Sequence, residues 1–263
     1  MDINSHIQNI KENGYTIIPQ AFNPYQVEEL LELVKYHYED TKNKTSKDVP
    51  YLNKTSPNVY NLQNKDLAFI KALFGLKDVE EILKYFLNDE WYKAIPQDQP
   101  NYILRHIGAR SSNEALPLHI DSFIPYQGEE SMAMQVAIML EDSFEERGCT
   151  FVIPGSHQSG EYADPKRLEN RAIPLECSAG DILVWDSRIH HSTSRNETLD
   201  TRWAIIATYT RWFVKQMFDI PNNIPDSIYF ELSQKEKYLL GFGTRPFRNE
   251  FDGIEMKRGY DEL

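Results

Sequence analysis

The sequence predicts an α+β fold, mainly β, with helices first and an antiparallel sandwich or barrel after them. Two observations carry this. Val27, Leu30, Leu31 and Val34 recur at helical spacing near the start of the chain. From about Tyr102 onward, short apolar runs alternate with turn residues: "YILRHI", "LHIDSF", "MAMQVAIML", "CTFVIP", "AIPLE", "DILVWDSRI" and "RWAIIATYT". Many short strands with regular punctuation are the mark of antiparallel sheets.

Taken in order, "NGYTIIPQAF" reads as a short strand. Asn23 then caps a helix, with Pro24 at its first position and Gln26 where a capping box wants a glutamine. The Glu-rich face of "VEELLELV" is its solvated side. Two shorter helices are expected near Lys65–Phe74 and Val79–Leu87. The intervening "TKNKTSKDVPYLNKTSPN", residues 41–58, is polar, lysine-rich and broken by Pro50 and Pro57. It is too long for an ordinary connection and is read as a disordered or functional loop. The C-terminal "RPFRNEFDGIEMKRGYDEL" gives no clear element.

The chain has 263 residues, 41% of them hydrophobic and 12% aromatic, enough for a substantial core. Its net charge of -12 argues against nucleic acid or anionic membrane as a general partner. It leaves room for one local basic pocket. No signal peptide or membrane helix is read, and Cys149 and Cys177 form no C-x-x-C; the expected location is the cytoplasm.

The chemistry is expected in the strands. In "ALPLHIDSF", His119 and Asp121 stand two apart, so on an extended strand they project to the same side. Such a pair serves either as a hydrogen-bonded histidine and carboxylate or as two ligands of a metal. "DSRIHHSTSRN" supplies a third candidate, His190 or His191; being adjacent, only one can face inward. Two histidines and one carboxylate form the facial triad of non-haem Fe(II) oxygenases, although Zn(II) accepts the same donors. Arg202 opens an otherwise apolar strand eleven residues after His191, and a hairpin of that length would bring both into one cavity. A guanidinium there needs an anion, either an internal acid or a bound carboxylate.

Together these pieces resemble the phytanoyl-CoA dioxygenase family of Fe(II)- and 2-oxoglutarate-dependent oxygenases. "LHID" is similar to the family's H-x-D strand, and "EERGCTFVIPGSH" to its Gly-to-Pro-Gly-Ser-His segment. His191, Asn196 and Arg202 fit the spacing of the distal histidine, asparagine and arginine, whereas His190 does not. "NGYTIIPQAFNPYQVEELLELV" is similar to the family's entry strand and helix, so the likeness covers most of residues 10–212. It implies a double-stranded β-helix, or jelly roll, with helices outside, a single domain over 1–263 and its core at about 100–212. It implies Fe(II) held by His119, Asp121 and His191. The 2-oxoglutarate co-substrate would meet Arg202, with Thr193 and Gln135 as helpers, and O2 would complete the set. The implied activity is hydroxylation of a C–H bond in a small metabolite or biosynthetic intermediate, with release of succinate and CO2. The retained Asp121 favours this over halogenation.

The alternative is a non-catalytic jelly-roll protein that binds a metal or small acid. A zinc hydrolase is disfavoured because no H-E-x-x-H or comparable base accompanies the ligands. His157 is read as structural, His106 as a core or surface residue, Asn196 as a turn former, and Trp185 and Trp203 as packing residues; His6 and His37 are assigned nothing. Arg105, Arg110 and Arg188 could hold an acidic group, and Tyr102, Phe123 and Tyr126 could line an apolar wall, each against an equally good ordinary role. The 41–58 loop is a candidate lid. No oligomeric state is read.

Overall fold

The structure, a computed structural model, describes residues 2–44, 57–122, 124–164, 171–246 and 249–251. The expected lid at 41–58 falls largely outside the described residues, as do Phe123 and the end of the C-terminal segment.

Helix α1 (Ile3–Asn13) is capped by Asp2, whose carboxylate accepts the Ser5 N–H, and it ends at Gly14 with φ +87°. A β-carbon at Gly14 would lie 2.7 Å from His157 Nδ1, so glycine answers both the left-handed backbone and the close approach. Strand β1 (Tyr15–Ile18) follows, then α2 (Pro24–Lys44). The capping box forms as expected: Asn23 N–H donates to Gln26 Oε1 at 3.0 Å, and Gln26 N–H to Asn23 Oδ1 at 3.1 Å. Val27, Leu30 and Val34 are the buried stripe of α2.

After β2 (Asn58–Tyr60) come α3 (Leu67–Phe74) and α4 (Lys77–Leu87). The strands then run β3 (Tyr102–Arg110), β4 (Leu116–His119), β5 (Ala133–Met139), β6 (Thr150–Val152), β7 (Ile173–Leu175), β8 (Ile182–Asp186), β9 (His191–Thr193) and β10 (Ala204–Arg211). Short helices α5 (Ile220–Asn223), α6 (Asp226–Tyr229) and α7 (Gln234–Leu239) close the described order. Helix α1, strand β2 and the last three helices carry weaker sequence signals and were not expected.

One sheet has the order β1-β8-β5-β10-β3-β2, the other β4-β9-β6-β7. Strand order departs from chain order in both, as in a jelly roll, and β1–β8, β2–β3, β4–β9, β6–β7 and β6–β9 pair antiparallel. The chain falls into two compact units: Met1–Tyr60 with Gly108–Ser131 and Gln135–Ile206, and Asn61–Ile107 with Met132–Met134 and Ala207–Leu263. In the first, Ala137 and Met139 of β5, Leu183 and Trp185 of β8, Val152 of β6 and Leu175 of β7 form one apolar core. Side chains from both sheets meet there. In the second, Tyr92, Ile95, Ile103 and Tyr238 cluster with Trp212.

Candidate metal centre

Strands β4 and β9 pair with His119 opposite His191. Their rings lie 4.1 Å apart between centroids. The ladder is irregular between Leu116 and His119, and β4 ends at His119. Here the structure departs from expectation: Asp121 is not on an extended strand. The chain bends, and the Asp121 and Ser122 N–H groups both donate to the Ser187 carbonyl, at 2.9 and 2.8 Å. That shared acceptor pulls the chain off the ladder toward the β8–β9 turn and delivers the carboxylate between the two imidazoles. Asp121 Oδ1 stands 3.6 Å from His119 Nε2, and Oδ2 stands 3.4 Å from His191 Nε2.

One donor atom from each of the three residues lies within 4.8 Å of the others, and among the described residues no other such group of His, Cys, Asp and Glu forms. Each histidine is oriented by its own backbone. His119 Nδ1 meets the Pro117 carbonyl at 2.9 Å, and His191 Nδ1 meets the Ile189 carbonyl at 3.0 Å. A carbonyl only accepts, so both Nδ1 atoms carry the proton and the neutral rings present an Nε2 lone pair to the centre. Trp185 packs in the core and also donates its indole N–H to Asp121 Oδ2 at 3.3 Å. The side chains are 7% exposed at His191, 27% at Asp121 and 36% at His119, so the group is walled on the His191 side and open on the other.

The electrostatics suit a cation. Burial opposes the Asp121 charge, but His191, His119 and the Trp185 N–H together hold the carboxyl below its ordinary value. Burial pushes His191 down, which favours the neutral, ligating form. His119 is raised by Asp121 in spite of burial. A divalent first-row ion holds nitrogen and oxygen at about 2.0–2.2 Å, so small closing movements would bring all three donors to it. The donor set thus fits a non-haem Fe(II) site.

His190 faces elsewhere. Its Nε2 meets the Glu161 carbonyl at 2.9 Å and its N–H donates to Ser156 Oγ. Thr193 shares the strand face of His191, and its Oγ accepts the Leu116 N–H at 3.1 Å. Gln135 is buried on β5 and shares the face of Ala137 and Met139.

Arg202 precedes β10 rather than opening it, and its N–H donates to Ser111 Oγ at 3.0 Å. The expected hairpin is absent, because β9 lies in the four-stranded sheet and β10 in the six-stranded one. The segment joining them crosses between sheets. Its turn is built by Asn196, whose Oδ1 accepts from Thr198 N–H and Oγ–H and whose side-chain N–H donates to the Asp200 carbonyl. Gly148, with φ +81°, gives the "EERG" segment its place beside this crossing, where a β-carbon would lie 2.7 Å from the Ser194 carbonyl. Burial, and then Arg110, lower Arg202 to about 10.

Other candidates resolve into structure. His157 Nε2 meets the Lys11 carbonyl, and His6 pairs with Thr16. His106 and His37 do not join the triad. Tyr102 packs edge-on against Tyr209, Trp203 is buried near Tyr38, and Tyr126 lies over Arg188. Cys149 and Cys177 are free and buried, and burial pushes both thiols up to about 12.

A family model described as phytanoyl-CoA dioxygenase (PhyH) matches residues 10–204. The chain belongs to the phytanoyl-CoA dioxygenase family. Within it, an uncharacterized Mycobacterium tuberculosis protein, Rv1501, is 32% identical over 117 residues, covering 44% of this chain and 43% of its own. "Dioxygenase af480" of Aspergillus fumigatus is 32% identical over 136 residues, covering 50% and 44%. The chain therefore spans less than half the length of these relatives. Among solved structures, the epimerase SnoN in complex with Fe3+, alpha ketoglutarate and nogalamycin RO aligns with a TM-score of 0.61 at 17% identity, over 94% of this chain and 93% of SnoN. That likeness establishes the shared fold. No described helix is long and apolar enough to cross a membrane.

Proposed function

We propose that this phytanoyl-CoA dioxygenase family member is an Fe(II)- and 2-oxoglutarate-dependent oxygenase acting on a small metabolite or biosynthetic intermediate. The observation that carries this is the convergence of His119, Asp121 and His191, with both Nδ1 atoms already spent on backbone carbonyls. In this reading the three residues hold the iron. Arg202, unpaired by any acid among the described residues, binds the distal carboxylate of 2-oxoglutarate. Thr193 and Gln135 contribute from β9 and β5. Iron with 2-oxoglutarate and O2 supplies the oxidant, with succinate and CO2 as co-products.

The protein's own part is to orient and to exclude water. The backbone locks both rings, Trp185 steadies the carboxylate, and the core behind His191 closes that side. Hydroxylation of a C–H bond is the proposed outcome, since Asp121 retains the ligand carboxylate that halogenases of this type give up. SnoN, an epimerase by name, has the same fold, so the outcome is decided by what lies beyond the metal. Two free, buried thiols are in keeping with a cytoplasmic setting.

The test is uncoupled turnover. Purified protein with Fe(II), ascorbate and 2-oxoglutarate should release succinate slowly without any substrate, and the His191→Ala variant should not. Absence of both succinate release and 2-oxoglutarate binding would turn the reading to a non-catalytic binding protein.

A further inference from the structure

Arg110 ends β3, opposite Asn58 of β2. The next residue, Ser111, accepts the Arg202 N–H on its Oγ at 3.0 Å. Two arginines thus issue from two segments stitched together by one hydrogen bond. Both side chains are only partly exposed, and the buried Nε of each has no hydrogen-bond partner. Among the described residues no acid forms an ion pair with either. The chain carries 40 acidic residues against 28 Lys and Arg, so the missing acid is not for want of supply.

Arg110 also occupies a particular position in the local field. Its charge opposes that of Arg202 and is also felt by Asp121 and His119. Its charge is thus felt both at the candidate metal centre and at the arginine assigned to the distal carboxylate. Two like charges that no ion pair neutralises are costly, and the cost falls when an anion binds them. A dicarboxylate reaching from the metal to Arg202 would pass through this field.

We propose that Arg110 is a second guanidinium of the 2-oxoglutarate seat, sharing the dianion with Arg202. The inference rests on the co-substrate reading above and adds a binding residue that the spacing of motifs does not mark. It makes Arg110 a contact for the bound dianion, distinct from the metal ligands.

The test is calorimetric titration of Mn(II)-loaded protein with 2-oxoglutarate. Arg110→Met should weaken 2-oxoglutarate binding by about tenfold or more while Mn(II) affinity is unchanged, because a charge-assisted hydrogen bond is lost. Arg110→Lys should recover part of the loss. The thermal midpoint of the metal-free Arg110→Met protein should stay level or rise, since an unpaired charge has been removed. If Arg110→Met binds 2-oxoglutarate as tightly as the parent while Arg202→Met does not, the proposal is overturned and the co-substrate reading survives. If Arg110→Met loses Mn(II) as well, Arg110 acts through the metal ligands and the proposal is again overturned. If the unaltered Mn(II) protein does not bind 2-oxoglutarate, both fall together.

Discussion

Two clusters of buried charge lie within a few residues of each other along β8 and β9, and they are built on opposite plans. In the first, Arg188 grips Asp186 with two parallel hydrogen bonds, Nε to Oδ1 at 2.9 Å and Nη2 to Oδ2 at 2.7 Å. Its Nη1 donates to the Gly128 carbonyl, Ser131 bridges back to Asp186, and the Tyr126 ring covers the guanidinium at 4.5 Å. Burial would lower Arg188, but the Asp186 contact overrides it and holds the group above its ordinary value. In the second cluster Asp121 stands between two imidazoles, and among the described residues neither Arg110 nor Arg202 forms an ion pair, the buried Nε of each lacking a hydrogen-bond partner. The first is closed and spends every donor on the protein itself. The second leaves the buried Nε of both arginines without a hydrogen-bond partner, which is how charge is arranged when its partner arrives from solution.

Substitutions and metal loading can break this contrast. Asp186→Ala strands a buried guanidinium and should cost about 3–5 kcal/mol, read by urea unfolding. Metal affinity of the remaining folded protein should change little; a large loss would mean that the two clusters are one. His191→Ala should lower Mn(II) or Fe(II) affinity by at least about 100-fold with little change in the metal-free melting temperature. His190→Ala should keep the metal, as its ring is spent on Glu161.

Saturating metal should raise the stability of the unaltered protein by about 2.7 kcal/mol at one hundred times its dissociation constant. Thermal scans should show no such rise for His191→Ala. Arg202→Met should weaken 2-oxoglutarate binding by about ten- to one-hundred-fold while leaving the metal-free fold as stable or more so. That sign, opposite to the effect of Asp186→Ala, is the sharpest statement of the difference. Thr193→Val comes last, with a loss of about 1 kcal/mol from the Leu116 hydrogen bond and at most a few-fold change in co-substrate affinity.

What could be read from the sequence was what depends on local chemistry. The Asn23–Gln26 box and the H-x-D spacing follow from residues close together in the chain, whereas the preference for His191 over His190 came from the family resemblance. What escaped depends on distant contacts. Asp121 reaches its place through the Ser187 carbonyl and not by strand alternation, although it does converge with His119. Arg202 arrives by a crossing between sheets, since nothing in a ten-residue spacer distinguishes a hairpin from a crossover. Trp185 reads as a core residue and is one, yet its single polar atom donates to the Asp121 carboxylate. Arg110 is one of three flanking arginines in the sequence; Arg188 is ion-paired to Asp186, whereas among the described residues Arg110 forms no ion pair.

Each imidazole is steered by the carbonyl only two positions upstream, Pro117 for His119 and Ile189 for His191. Main-chain oxygens survive any substitution of the residue that bears them. Aim is therefore written into two tripeptides, and the surroundings are free to drift without misdirecting the ligands. A scaffold of this kind can exchange the walls around its reactive centre, and with them its choice of substrate, while the centre itself stays trained on the same point.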